Sequence, residues 1–107
     1  MGMKTLKNDY GPIKIQITEP VDFICIGGPS VTNLRVRYIP MDKIMEFISF
    51  KEWLHENIKE GIAESVADKV HKYLTEQLEP IQLEVMMMSV TSVHHGKAFV
   101  KIGQVDW

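Results

Sequence analysis

The hydrophobic period of this chain switches twice, and that switch constrains the fold more than any other feature. Residues 12–19 alternate Ile13, Ile15 and Ile17 against Lys14, Gln16 and Thr18, which predicts a strand. Pro20 follows and is expected to stop pairing. Ile26-Gly27-Gly28-Pro29-Ser30 reads as a loop. Residues 32–39 predict a second strand, with Leu34, Val36 and Tyr38 on one face and Arg35, Arg37 and Ile39 on the other, ended by Pro40. The period then becomes helical. Ser49 is a candidate cap for a helix over 50–59, with Glu52 at capping-box spacing and Gly61 as the breaker. In residues 62–78, Ile62, Val66, Val70, Tyr73, Leu74 and Leu78 recur on one face, while Glu64, Asp68, Lys69 and Lys72 take the wet side. Beyond Pro80 the period returns to two. A strand is predicted over 81–92, a turn at His94-His95-Gly96-Lys97, and a strand over 98–105.

The order is β-β-α-α-β-β. Paired strands flanking grouped helices predict an α+β fold, an antiparallel four-stranded sheet with both helices on one face. The opposite face would carry Arg35, Arg37 and Lys101. A polar second face suits the lining of a water-filled barrel built from several subunits.

At 107 residues the chain is one domain, expected over 12–107 behind an N-terminal tail at 1–11. A core this small gains from oligomerisation. The formal charge of −2 and the lack of a basic block argue against broad nucleic-acid binding, although a local basic stripe is compatible with them. The single cysteine, Cys25, allows no internal disulfide, and no zinc-type spacing exists, so no metal is expected. No apolar run reaches the roughly 20 residues of a membrane span, and no signal-type apolar segment opens the chain. A reducing cytoplasm is the expected compartment.

Several short segments occur in a telling order. Tyr38-Ile39-Pro40 ends the second predicted strand; Glu46-Phe47-Ile48-Ser49-Phe50-Lys51-Glu52-Trp53 follows; Gly61-Ile62-Ala63-Glu64 opens the long helix; Pro80 and Leu83-Glu84-Val85 lead into the third strand. Over residues 13–103 the chain resembles the 7-cyano-7-deazaguanine reductases of the tunnelling-fold superfamily. It departs from their pattern in places. Ile48 replaces a lysine, the histidine before Glu64 is absent, and Ile26 and Thr32 stand where the family has Pro and Asp.

The resemblance implies roles for six residues. Cys25 would be the nucleophile that adds to a nitrile carbon, which requires an accessible thiolate. Read on its own, it is equally a small buried hydrophobe. Glu64 would accept two parallel hydrogen bonds from the N–H edge of a guanine-like or pterin ring. A glutamate in a first helical turn also complements the helix dipole. Glu46, Ser49, Lys51 and Trp53 would contribute to NADPH binding, with Lys51 on a phosphate and Trp53 stacked on a flat ring. The alternative is a capped helix with Trp53 in the core and Lys51 in solvent. Adjacent His94 and His95 point apart in a strand, so a turn is the simpler reading. Met86, Met87 and Met88 read as adaptable packing.

Three functions follow from the resemblance. The first is NADPH-dependent reduction of the nitrile of 7-cyano-7-deazaguanine through a Cys25 thioimide, in a queuosine-type tRNA modification pathway. The second is an amidinotransferase-like relative, akin to archaeosine synthase, in which ammonia adds to a nitrile carried on tRNA. The third is a protein that binds a purine or pterin without turnover. All take a purine-like small molecule, tRNA enters only with the second, and a homo-oligomer with sites between subunits is expected.

Overall fold

Strand and helix follow one another much as the periods dictate in the computed structural model. It describes the backbone of residues 2–25, 28–59, 61–91 and 97–107, and the side chains of these residues other than 22–31 and 89–98. The elements are β1 (Thr5–Lys7), β2 (Ile15–Cys25), β3 (Gly28–Ile39), β4 (Lys43–Met45), α1 (Phe47–Asn57), α2 (Ala63–Leu78), β5 (Gln82–Thr91) and β6 (Lys97–Gly103). Four of them form an antiparallel sheet in the order β2-β3-β5-β6. This is the α+β layout expected, with both helices on one face.

Alternation decides which side chains enter the core. Leu34, Val36 and Tyr38 of β3 and Leu83, Val85 and Met87 of β5 are buried beneath Val66, Val70, Leu74 and Leu78 of α2. The register lays out the other face in rows: Gln16–Arg37–Glu84–Gly103, then Thr18–Arg35–Met86–Lys101. Glu84 is 4% exposed there and is flanked by Arg35 at 3.4 Å and Lys101 at 3.7 Å. The polar second face therefore holds an ion-pair cluster, with Arg37 hydrogen-bonded to Gln16 at 2.8 Å.

Pro20 does not stop pairing. β2 runs through it, opposite Asn33, and continues to Cys25. β2 is an edge strand, so a missing donor on its free side breaks no ladder. The expected loop at 26–30 shrinks accordingly. Gly28, Pro29 and Ser30 already belong to β3, and residues 26–27 lie outside the described residues. The predicted turn at His94-His95-Gly96 also lies outside them, and Lys97 opens β6.

The N-terminal stretch carries a strand that periodicity did not reveal. Thr5–Lys7 pairs with Lys43–Met45 as a small second sheet. Just ahead of it, Met3 is buried and donates its N–H to Tyr73 Oη at 2.7 Å, and Lys4 donates its N–H to Ser49 Oγ at 2.8 Å. The segment before β1 is thereby latched onto both helices.

α1 starts earlier than Ser49 because Glu46, not Ser49, is its cap. The Glu46 carboxylate accepts the Ile48 N–H at 3.1 Å and the Ser49 N–H at 2.7 Å, while Ser49 Oγ returns a bond to Glu46 O at 3.0 Å. The carboxylate thus satisfies two first-turn donors, the Ser49 hydroxyl donates back to the cap carbonyl, and the Glu46 N–H is taken by Lys4 O at 3.0 Å. The Ser49 amide, and then its hydroxyl, hold the Glu46 carboxyl below its ordinary value of 4.5. A depressed carboxyl supports the fold above its unfolded value and loses that support as pH falls through the folded one. Thermal melts from pH 6 to pH 3 are expected to show an acid-side loss starting near pH 4.5 that is smaller in Glu46→Gln. An identical profile in the variant contradicts this.

Candidate functional site

Two strands and one helix fix where the implied catalytic groups lie. β2 carries Cys25 as its last residue, in register with Gly28 at the start of β3. This places Cys25 at a strand end rather than within a loop; its side chain is outside the described ones. Glu64 lies in the first turn of α2 and is exposed. It makes no hydrogen bond or ion pair with another described residue, so its carboxylate is available to a ligand.

Helix direction relates these two positions. α2 passes into β5 through Glu79, which adopts the left-handed conformation at φ 46°, and Ile81 donates its N–H to Ile39 O at 2.9 Å. α2 packs on β5 and β6, and the short connection from Leu78 to Gln82 turns the chain back on itself, so α2 runs against the direction of β5. Its first turn therefore points toward the end of the sheet where Ser30 pairs with Thr91 and where β2 finishes at Cys25. The backbone of Cys25 and the first turn of α2 thus lie in the same direction along the sheet, on different layers and two strands apart.

The two polar residues nearest the family Asp position among the described side chains point to opposite faces of β3. Thr32, at the family Asp position, is 0% exposed on the core side of β3. Asn33 is exposed on the opposite face.

The four residues expected to hold NADPH have partners within the chain. Trp53 is 6% exposed, with its ring stacked on Tyr73 at 3.9 Å and 8° and facing Phe50 at 6.3 Å and 11°. Ser49 is buried, and its hydroxyl both accepts from Lys4 N–H and donates to Glu46 O. Glu46 is the helix cap. Lys51 Nζ lies 3.3 Å from Oε1 of Glu19, a carboxylate whose side chain is only 10% exposed. Glu46 and Ser49 line a cleft of about 320 Å³ with Gly2, Lys4, Ile48 and Glu52. Two carboxylates against one ammonium make that cleft a poor phosphate site. As folded, these residues do not fit the cofactor.

Sequence reasoning missed Glu19 and Tyr73. A signal for Glu19 existed: it continues the inward parity of Ile15 and Ile17 and precedes inward Val21, so alternation alone buries it. The helical period sets Tyr73 on the apolar face, but its stacking on Trp53 depends on how α1 crosses α2. Among the described residues no group of three or more His, Cys, Asp or Glu could hold a metal ion. None of their helices is long and apolar enough to cross a membrane.

Comparison with known proteins adds three findings. No family model matches the chain. In sequence it is 34% identical over 77 residues to the NADPH-dependent 7-cyano-7-deazaguanine reductase of Aquifex aeolicus, a match spanning 67% of this chain and 59% of that protein. The chain thus aligns with about three fifths of that relative's length. In structure it is similar to an archaeosine synthase, QueF-like, in its apo form, with a TM-score of 0.73 and 16% identity, covering 90% of this chain and 99% of that one.

Proposed function

We propose that this chain, a tunnelling-fold relative of the 7-cyano-7-deazaguanine reductases, holds a 7-deazaguanine-type base on Glu64 and adds the Cys25 thiolate to its nitrile. What supports this reading is placement along the fold: β2 ends with the backbone of Cys25, and α2 opens with Glu64, exposed and unbonded to any other described residue, in the same direction along the sheet. The carboxylate suits the N–H edge of a guanine-like ring because it accepts two parallel hydrogen bonds, and the α2 N-terminus favours its charge. The chemistry at Cys25 is an addition. A C–S bond forms, one C–N π bond is lost, and the nitrile nitrogen takes up a proton. No group leaves, so the enzyme gains the full mass of the nitrile.

The name of the sequence relative supports NADPH-dependent reduction of 7-cyano-7-deazaguanine, which on this reading proceeds from the Cys25 adduct. A second reading, an archaeosine-synthase-like activity on nitrile-bearing tRNA with ammonia as nucleophile, is favoured by the structural match, which spans 99% of that chain. Both readings share the Cys25 adduct. The free edges of β2 and β6 suit assembly into a homo-oligomer with the site completed between subunits, in a cytoplasmic setting. The test is incubation with 7-cyano-7-deazaguanine followed by intact-protein mass. A stoichiometric gain equal to the nitrile is expected; an unchanged mass overturns the proposal. NADPH consumption then separates reduction from ammonia-dependent amidine formation.

A further inference from the structure

We infer that the α1 stretch from Glu46 to Trp53 is closed to NADPH, and that Glu19 and Tyr73 are the residues that close it. A dinucleotide phosphate binds through a free cation and hydrogen-bond donors, and its rings bind through a free flat surface. Here each has an occupant from the chain itself.

The cation is held by an internal anion. Glu19 faces the helices from β2, with its side chain 10% exposed, and Lys51 at 3.3 Å is the cation beside it. A carboxylate so sheltered loses compensation if its lysine swings to a ligand, and an uncompensated buried charge is strongly unfavourable. Any phosphate must therefore compete with a preorganised carboxylate that is already desolvated. The neighbouring position that could have supplied a second cation is Ile48, an exposed apolar side chain.

The flat surface is held in the same way. Tyr73 stacks on Trp53 at 3.9 Å and is itself fixed from beyond, since its Oη accepts the Met3 N–H at 2.7 Å. Exposing the Trp53 ring means breaking that bond and the latch before β1. The hydroxyl of Ser49 is engaged in both roles, and the adjoining cleft presents Glu46 and Glu52 to any approaching phosphate. Residues that resemble a cofactor motif in order and spacing thus act as a clamp joining α1 to β2, to α2 and to the N-terminal segment.

Neither Cys25 nor Glu64 takes part in this clamp, so its state is independent of the nitrile chemistry. Hydrogen–deuterium exchange on the wild-type protein, with and without 1 mM NADPH (on the order of the upper end of cofactor affinities), reads it without any variant. Exchange across residues 46–53 is expected to be unchanged, and NADPH-dependent protection there overturns it. Calorimetric titration of wild type and Lys51→Gln with NADPH is the second measurement. Either no saturable binding or affinities agreeing within about threefold, under 1 kcal/mol, is expected. Binding weakened further by the substitution overturns the inference. The Cys25 adduct separates the two proposals. Unprotected α1 with no adduct refutes the nitrile reading only, and protected α1 with an adduct refutes this one only.

Discussion

Gly103→Ala is expected to lower stability by more than about 3 kcal/mol, a large share of the roughly 5–15 kcal/mol that holds a domain together. Gly103 ends β6 at φ +79°, opposite Glu84. A Cβ built there falls 2.1 Å from the Leu83 carbonyl oxygen and 2.8 Å from His71 Nε2. The first neighbour is backbone of β5, so relief requires β6 to move away from its partner strand rather than a rotamer change. The left-handed backbone adds its own penalty for any L side chain. For a domain near this size the melting temperature should fall by at least about 12 °C. Gly11→Ala is the control: it is also left-handed, at φ +73°, but has nothing within 4 Å of its Cβ, so it isolates the conformational part of the penalty. Equal melting temperatures for the two variants would show that the close approach at Gly103 carries no weight.

The second large effect concerns the proposed chemistry. Cys25→Ala is expected to abolish the mass adduct with 7-cyano-7-deazaguanine and any turnover that depends on it, while base affinity stays within about threefold. Glu64→Gln is expected to do the opposite. The adduct still forms at saturating substrate, but affinity falls about 10–100-fold, because one charge-assisted hydrogen bond of ~1.5–3 kcal/mol is replaced by an amide donor facing a donor. Glu64 is exposed and makes no bond to another described residue, so the substitution costs the fold only the charge that complements the α2 N-terminus, about 0.3–1 kcal/mol. The readouts are intact mass for the first variant and equilibrium binding for the second. An adduct that survives in Cys25→Ala removes the thiol from the mechanism. Unchanged affinity in Glu64→Gln removes the carboxylate from base recognition.

The residues of α1 show how a motif and its use can part company. Order and spacing place Glu46, Ser49, Lys51 and Trp53 alongside a cofactor-associated stretch. The same residues are what a short helix needs to start, to bury one face and to tie itself to a neighbouring strand. Which use prevails depends on side chains far away in the chain: Glu19 on β2, Tyr73 on α2 and the N–H groups of Met3 and Lys4. No local window contains that information.

By itself the amino-acid order determined the β-β-α-α-β-β sequence of elements, the inward and outward faces of β2, β3 and β5, and the polar character of the open sheet face. Each follows from periods of 2.0 or 3.6 residues acting over neighbouring positions. Tertiary structure decided that β2 runs through Pro20 to Cys25, because tolerance of a missing donor depends on lying at a sheet edge. It also decided the pairing of Thr5–Lys7 with Lys43–Met45, whose three residues each are too few to show a period. It fixed the partners of Lys51 and Trp53. The physical reason is common to all of these: backbone periodicity is a property of adjacent residues, whereas edge position, ion pairing and ring stacking arise only once distant segments have met.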